Sequence, residues 1–392
     1  MVGTWLFTFR MRDKTSKLAY IDSLRAIAIL LVVLFHTGID YQPIRTSFIW
    51  PIIHNGMYGV QLFYVVSAFT LFLSYHRRIG EGLSIDRNFF IRRFFRIAPL
   101  YYLAVIYYLW QNGFGPRGRW MSGESSITSA NILSNIFFLH GTNPNWINTV
   151  VPGGWSIASE MAFYVLVPLL VRLIRNTSQA LIFVLISLVC LSLLHHLLAP
   201  WRPIPSVWLW EQYLYLYLPS QLPVFGLGIL MYFLIYPGSD FSAKTSPRLY
   251  MIASFLWLCT LLQSKSGILP PHVLFGTCFM VVSVALSQYP IRLLVNPALG
   301  YIGRISYSMY LTHFAVIHFH DRYIGKQIVD IESRLPGIAS FGLRFLLIVT
   351  ATAIVSSIFY RIIELPGQAL GQALIKRITT KTSPVLALGS KP

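Results

Sequence analysis

The chain has 392 residues, of which 55% are hydrophobic and 11% charged, with a mean hydropathy of +0.60. So few charges cannot cover that much apolar surface in water, which excludes an ordinary soluble domain and leaves an integral membrane protein. The formal net charge of +18, from 31 Lys and Arg against 13 Asp and Glu, fits basic residues held at the cytoplasmic ends of spans and does not call for a nucleic-acid partner.

A basic N-terminal segment, residues 1–19 with Arg10, Arg12, Lys14 and Lys17, leads into the first apolar run. No small-residue cleavage site follows it, so a retained first span is expected. Apolar stretches of spanning length occur at 20–38, 57–76, 97–112, 154–174, 178–199, 212–236, 249–264, 269–288, 303–320 and 338–360. They predict an all-α polytopic bundle of about ten transmembrane helices. With the N-terminus inside, cytoplasmic segments hold 21 of the 31 basic residues and outer segments nine, with Arg25 inside a span. Both termini are therefore expected in the cytoplasm.

The first span carries Arg25 and His36. The uncharged run between Arg25 and Asp40 has 14 residues, about 21 Å of helix, too short for a ~30 Å hydrocarbon core. Arg25 is thus expected at the inner interface and His36 about two thirds of the way across. Eleven residues is close to three turns, so both side chains project from nearly one face. The spacing leaves two readings open: two depths of one polar cavity, or an arginine snorkelling to head groups beside Asp22 with a histidine near the outer surface.

Before the third span, "RNFFIRRFFRIAPLYYL" brings Arg92, Arg93 and Arg96 together. This spacing suits phosphates, and contact with anionic lipids explains it equally well. The segment 127–140 is apolar but short, so it reads as interfacial or re-entrant. The fourth span, "GGWSIASEMAFYVLVP", sets Ser156 and Glu160 at i and i+4. Glu160 is expected at the depth of His36, where a carboxylate would orient the imidazole; an interfacial Glu160 within an aromatic belt is the alternative. Pro152, Pro168, Pro219 and Pro223 are expected to kink or begin helices. Cys190, Cys259 and Cys278 lie in apolar stretches without pairing or ligand spacing, against a disulfide framework or a zinc site. The ninth span, "GRISYSMYLTHFAVIHFH", offers Ser306, Tyr307, Tyr310 and His313, the last two able to share a face, while His318 and His320 read as peripheral. In "RIIELP", Arg361 and Glu364 suggest an ion pair or a helix stop before Pro366. The division expected is 1–19 cytoplasmic, 20–366 membrane domain and 367–392 a short cytoplasmic tail. There is no P-loop, dinucleotide fingerprint, HExxH or GxSxG.

Six stretches, "IDSLRAIAILLVVLFH", "GVQLFYVVSAFTLF", "FFIRRFFRIAPLYY", "WSIASEMAFYVLVP", "IGRISYSMYLTH" and "RIIELP", stand in order over residues 21–366. Together they resemble acyltransferase family 3, bacterial integral-membrane O-acyltransferases of surface glycans and lipid-linked saccharides. The family's Arg-x10-His pattern falls on Arg25 and His36, its arginine motif on Arg92, Arg93 and Arg96, and its Trp-Ser-x3-Glu motif on Trp155, Ser156 and Glu160. Ala68 departs from the glycine common after Ser67. A second departure is the missing hydrolase-like periplasmic domain of some members.

The resemblance implies a protein of the bacterial cytoplasmic (inner) membrane that moves an acyl group, most often acetyl, from cytoplasmic acyl-CoA to a hydroxyl of an extracytoplasmic or lipid-linked glycan. Exopolysaccharide and lipopolysaccharide are examples of such acceptors. Acyl-CoA would be a co-substrate, with no permanently bound cofactor, and glycan-assembly machinery a candidate partner. Arg92, Arg93 and Arg96 would hold the CoA phosphates, and Arg25 would guide the donor or polarise the thioester. His36 would be the general base, oriented by Glu160, or alternatively a covalent nucleophile. Ser156, Tyr310 and His313 complete the expected substrate-binding set. The rivals are a glycan or acyl-carrier transporter, suited by kinked helices and buried ionisable groups, and a glycan polymerase or ligase.

Overall fold

The structure is a computed structural model describing residues 19–39, 41–117, 126–236, 246–262, 269–324 and 335–382. Among these residues every regular element is helical, which is the one way an open chain satisfies its own backbone in lipid. The principal helices are α1 (Ala19–Ile39), α2 (Gly59–His76), α3 (Ile85–Asn112), α4 (Ser129–Ile136), α5 (Gly154–Leu173), α6 (Thr177–Leu198) and α7 (Val207–Leu216). They continue as α8 (Leu218–Ile235), α9 (Ser246–Leu262), α10 (Pro271–Gln288), α11 (Pro297–Arg304), α12 (Ser306–Phe319), α13 (Gly337–Phe359) and α14 (Leu365–Thr382).

Among the described residues, seven helical stretches are long and apolar enough to cross a membrane. The other three expected spans are helices too, but fall short on length or polarity. α3 begins twelve residues before the apolar run, so its first half is arginine-rich. α9 and α12 have 17 and 14 residues. Length and composition therefore support seven spans where the sequence predicts about ten. The stretch 127–140 forms only the eight-residue α4 and a short turn, about 12 Å of helix and too short to span. Nearly all of the expected N-terminal segment and the end of the tail lie outside the described residues.

α1, α2, α8 and α10 build the centre, with α11 against the start of α1 and α6 on the rim. α6 turns Leu181, Leu185, Ile186 and Val189 outward, as a lipid-facing helix must. Pro168 and Pro223 lie inside α5 and α8, and Pro219 begins α8. α2 and α8 approach closely at Gly228, where a Cβ would stand 2.3 Å from the Val65 carbonyl oxygen and 2.7 Å from the Ala68 Cβ. Ala68 thus keeps its methyl because the facing helix has none; small residues set how near two membrane helices come. Buried Gln61 and Gln221 join the same two helices, the Gln61 amide donating to Gln221 Oε1 at 3.0 Å.

At the opposite end of α2, the Tyr75 hydroxyl and the Arg172 guanidinium both donate to Asp86, tying α2 and α5 to the start of α3. Burial alone would raise the Asp86 carboxyl, but these hydrogen bonds and the Arg172 charge hold it below its ordinary value. The "RIIELP" segment is a π-helical turn, Tyr360–Glu364, that passes directly into α14. Glu364 accepts from Ser308 and Gln368. No Arg361–Glu364 ion pair forms among the described residues, and Pro366 does not stop the helix, which runs on from the π turn into α14. α14 packs on α3 through Gly367 and Gly371 at Phe95 and Pro99.

Gly228→Val should overpack the α2–α8 contact, at a cost of about 1–3 kcal/mol. The expected outcome is a lowered melting midpoint in detergent by fluorescence-detected size exclusion; an unchanged midpoint would contradict the close approach.

Candidate functional site

The residues that could carry chemistry fall into two neighbouring places. The first is a small recess, open at its mouth, between α1, α2, α3, α5 and α12. Arg25, Arg93 and Arg96 line one part, Ser67, Thr70, Glu160 and Tyr164 the middle, and Ser156 and Tyr310 the rest. Glu160 Oε1 accepts from the Ser67 hydroxyl at 2.5 Å and from the Tyr164 hydroxyl at 2.7 Å. A half-buried carboxylate needs such donors to stay in the bundle. The Arg25 guanidinium donates to Thr70 Oγ1 at 3.2 Å and lies 3.4 Å from Asp22. Arg93 lies over the Phe89 and Tyr164 rings, 5.7 and 6.0 Å from their centroids. Arg96 has no hydrogen-bond partner among the described residues, and its charge acts on both Arg25 and Glu364. Three guanidiniums and one carboxylate line the recess, with Asp22 beside Arg25 and Glu364 near Arg96 as further counter-charges; the guanidinium donors suit an anionic ligand.

The expected arginine trio is divided. Arg93 and Arg96, three residues apart on α3, enter the recess. Arg92 points away and is clasped by Glu81 at 3.1 Å, from the 3₁₀ segment Ile79–Ser84, and Asn88 donates to the same carboxylate. Glu81 stands before the helix start and eleven residues from Arg92, so helical spacing gives no signal of this pair.

The recess ends at Ser156 and Tyr310. The Ser156 hydroxyl donates to the Tyr310 oxygen at 2.7 Å, and the Tyr310 hydroxyl reaches the Gly153 carbonyl at 3.0 Å. Gly153 sits just before α5 with φ +75°, and a Cβ there would meet the Tyr310 hydroxyl at 2.7 Å. Both the left-handed backbone and the close approach require glycine.

The second place is a histidine pair one turn further along α12. His313 Nε2 lies 3.3 Å from His36 Nδ1, and the rings are 5.1 Å apart between centroids. His36 Nδ1 is 2.9 Å from the Val32 carbonyl oxygen, and His313 Nδ1 is 2.8 Å from that of Tyr310. Carbonyl oxygens only accept, so in the neutral rings both Nδ1 atoms carry the hydrogen. The single His36 Nδ1 hydrogen is then shared between the Val32 carbonyl at 2.9 Å and, at the longer 3.3 Å, His313 Nε2, and His36 Nε2 keeps its lone pair. The Phe35 and Phe314 rings pack on His36.

This arrangement corrects one expectation. His36 and Glu160 do not pair: the imidazole is oriented by Val32 and His313, and the carboxylate is taken by Ser67 and Tyr164. Nor do Arg25 and His36 line one cavity, because only Arg25 borders the recess. The eleven residues between them, ~16 Å of helix, place His36 beyond the Ser156–Tyr310 contact. The expected site residues omit Ser67, Thr70 and Tyr164. Ser67 and Thr70, three apart on α2 and so on one helical face, are the sequence signal that points to them. His320 is not peripheral but buried, with Nδ1 3.0 Å from Asp321. Among the described residues no group of three His, Cys, Asp or Glu could hold a metal ion.

A family model described as an acyltransferase domain matches residues 18–361. The chain is 26% identical over 398 residues to the Staphylococcus aureus (strain COL) protein named "Putative O-acetyltransferase SACOL0978", covering 91% of this chain and 59% of that one. It is 24% identical over 383 residues to O-acetyltransferase OatA of S. aureus (strain NCTC 8325 / PS 47), covering 90% and 57%. The chain thus spans somewhat under three fifths of the length of these relatives. No solved structure matches it.

The histidine geometry has a direct readout. ¹⁵N NMR of ring-labelled protein at neutral pH should show His36 as the Nδ1–H tautomer with Nε2 unprotonated, and a His313→Ala variant should shift the His36 Nδ1 resonance. An Nε2–H tautomer at His36 would refute the assignment.

Proposed function

The chain belongs to acyltransferase family 3, and on that premise we propose that it is a multi-pass O-acetyltransferase of the bacterial cytoplasmic membrane. Its donor is acetyl-CoA drawn from the cytoplasm, and its acceptor is a hydroxyl of an extracytoplasmic or lipid-linked glycan. The observation that carries this reading is the arginine-lined recess leading from Arg25, Arg93 and Arg96 to the Tyr310 turn, with a histidine pair one turn beyond.

In this reading Arg93 and Arg96 hold donor phosphates, for which planar guanidiniums are suited, and Arg25 lies further along, near the thioester. Glu160 keeps the three guanidiniums spread rather than binding the donor itself. The recess stops short of His36, so the acyl group reaches the histidines only when the Ser156–Tyr310 contact gives way. His36 Nε2 takes the proton of the acceptor hydroxyl as its oxygen attacks the acyl carbon. The carbon–sulfur bond then breaks, and CoA leaves as thiolate and collects the proton. His313, accepting from His36 Nδ1, holds the ring with the Nε2 lone pair free and stabilises the imidazolium as it forms. A covalent acyl-histidine route would use the same lone pair on the thioester. The partners are acetyl-CoA, the glycan acceptor and the glycan-assembly machinery that delivers it.

Purified protein given radiolabelled acetyl-CoA and a glycan extract should place label covalently in the glycan; label that crosses the membrane without attachment would favour a transporter. His36→Ala should lower the transfer rate by about 10²–10⁴ with membrane insertion unchanged. Arg93→Ala and Arg96→Ala should raise KM for acetyl-CoA more than Arg92→Ala, because Arg92 is already held by Glu81. An equal or larger effect at Arg92 would place the donor elsewhere.

A further inference from the structure

A second, elongated cavity lies on another side of α12. α12 forms its floor with Thr312, Ala315 and Val316, and α3 and α13 form its walls with residues such as Leu103, Tyr107, Leu347 and Ala351. At one end it reaches Phe359, beside the π turn where α3, α13 and α14 come together. Its lining is hydrocarbon and aromatic almost throughout, and it is long enough to follow more than three turns of α13, from Leu347 to Phe359.

The other end is different. His320 lines it, is 4% exposed, and has an Nε2 with no partner among the described residues. Its Nδ1 lies 3.0 Å from Asp321 Oδ1, and Arg344 donates to that same oxygen at 2.5 Å. Arg344 is 9% exposed, and its Nε is likewise unpartnered among the described residues. A buried ring nitrogen without a partner at one end of an apolar slot, with the Arg344–Asp321 pair next to it and the Arg344 guanidinium over the Tyr41 ring, is costly unless a ligand satisfies it. A bare lipid-facing crevice would put such groups against acyl chains.

We propose that this slot seats the hydrocarbon chain of a long-chain lipid phosphate, with the chain running along α12 toward Phe359 and the head group at His320 and Arg344. His320 Nε2 accepts from a sugar hydroxyl when neutral and donates to a phosphate oxygen when protonated; Arg344 adds a guanidinium beside it. His320 is seven residues from His313 along the same helix and turn, about 10 Å. A saccharide carried on that lipid would therefore lie within reach of the histidine pair. This last step rests on the acetyltransferase reading; the binding site itself does not.

The test uses the purified protein in nanodiscs with no acyl donor present. A polyprenyl phosphate bearing a diazirine in its chain is photolysed and the adducts are mapped by mass spectrometry. Adducts are expected on the α3, α12 and α13 residues of the slot, reduced about tenfold or more, a ~1.4 kcal/mol change in binding, by Ala351→Trp, which fills it. Leu347→Trp serves as a second filler should the first fail to fold. His320→Ala should weaken labelling, and excess unlabelled polyprenyl phosphate should compete where phosphatidylglycerol does not. Labelling unchanged by both fillers, or displaced equally by phosphatidylglycerol, would overturn the proposal. A protein that labels but transfers no acetyl group keeps the slot and loses the acetyltransferase reading; one that acetylates soluble glycan without labelling does the reverse.

Discussion

The arrangement turns on a carboxylate, Glu160, set among guanidiniums inside a helical bundle. An isolated ion there is expensive, so the protein must supply hydrogen-bond donors to it. Glu160 on α5 is held by Ser67 of α2 and by Tyr164 of its own helix. Tyr164 offers its ring to Arg93 of α3, and Arg25 of α1 reaches Thr70 of α2. Four helices are thus fixed around one charge.

The recess arginines and the histidines are apart. A cationic cluster beside His36 would oppose the imidazolium that general-base catalysis must form. Along α1 the two are separated by about three turns, and Tyr310 stands between them. His36 is instead surrounded by Phe35, Phe314 and His313. Of these three, only the second imidazole can share a proton with it.

Much of this was legible in the sequence, and what was not has identifiable causes. Helical content, the spans and the candidates Arg25, His36, Ser156, Glu160, Tyr310 and His313 follow from apolar runs broken by polar residues, since such residues in a membrane helix carry a cost that function must justify. Their partners did not follow. Depth estimated from helix rise put Glu160 beside His36, but depth says nothing about which way each helix face points across the bundle. The clasp of Arg92 by Glu81 depends on the chain doubling back through the Ile79–Ser84 segment, with Gly82 at φ +60°, and no periodicity reports that. Three of the ten expected spans do not qualify by length and composition among the described residues, because α3 mixes an arginine-rich half with an apolar half, and α9 and α12 have 17 and 14 described helical residues.

α12 shows how one short helix can serve several roles. Its 14 residues do not reach across a bilayer alone, and the π turn His320–Ile324 extends it. A π turn widens the helix by one residue and shifts the side chains that follow, so His320 turns toward the apolar slot and Asp321 toward Arg344. Along the same helix, Tyr307 donates to the Ile97 carbonyl beside the recess, Tyr310 closes it, and His313 meets His36. A displacement of α12 would therefore act at once on the Tyr310–Ser156 contact and on the histidine pair. The short length is what permits this, since a helix spanning the full bilayer would be held by the lipid at both ends, whereas α12 is held chiefly by its packing against α13 and α1.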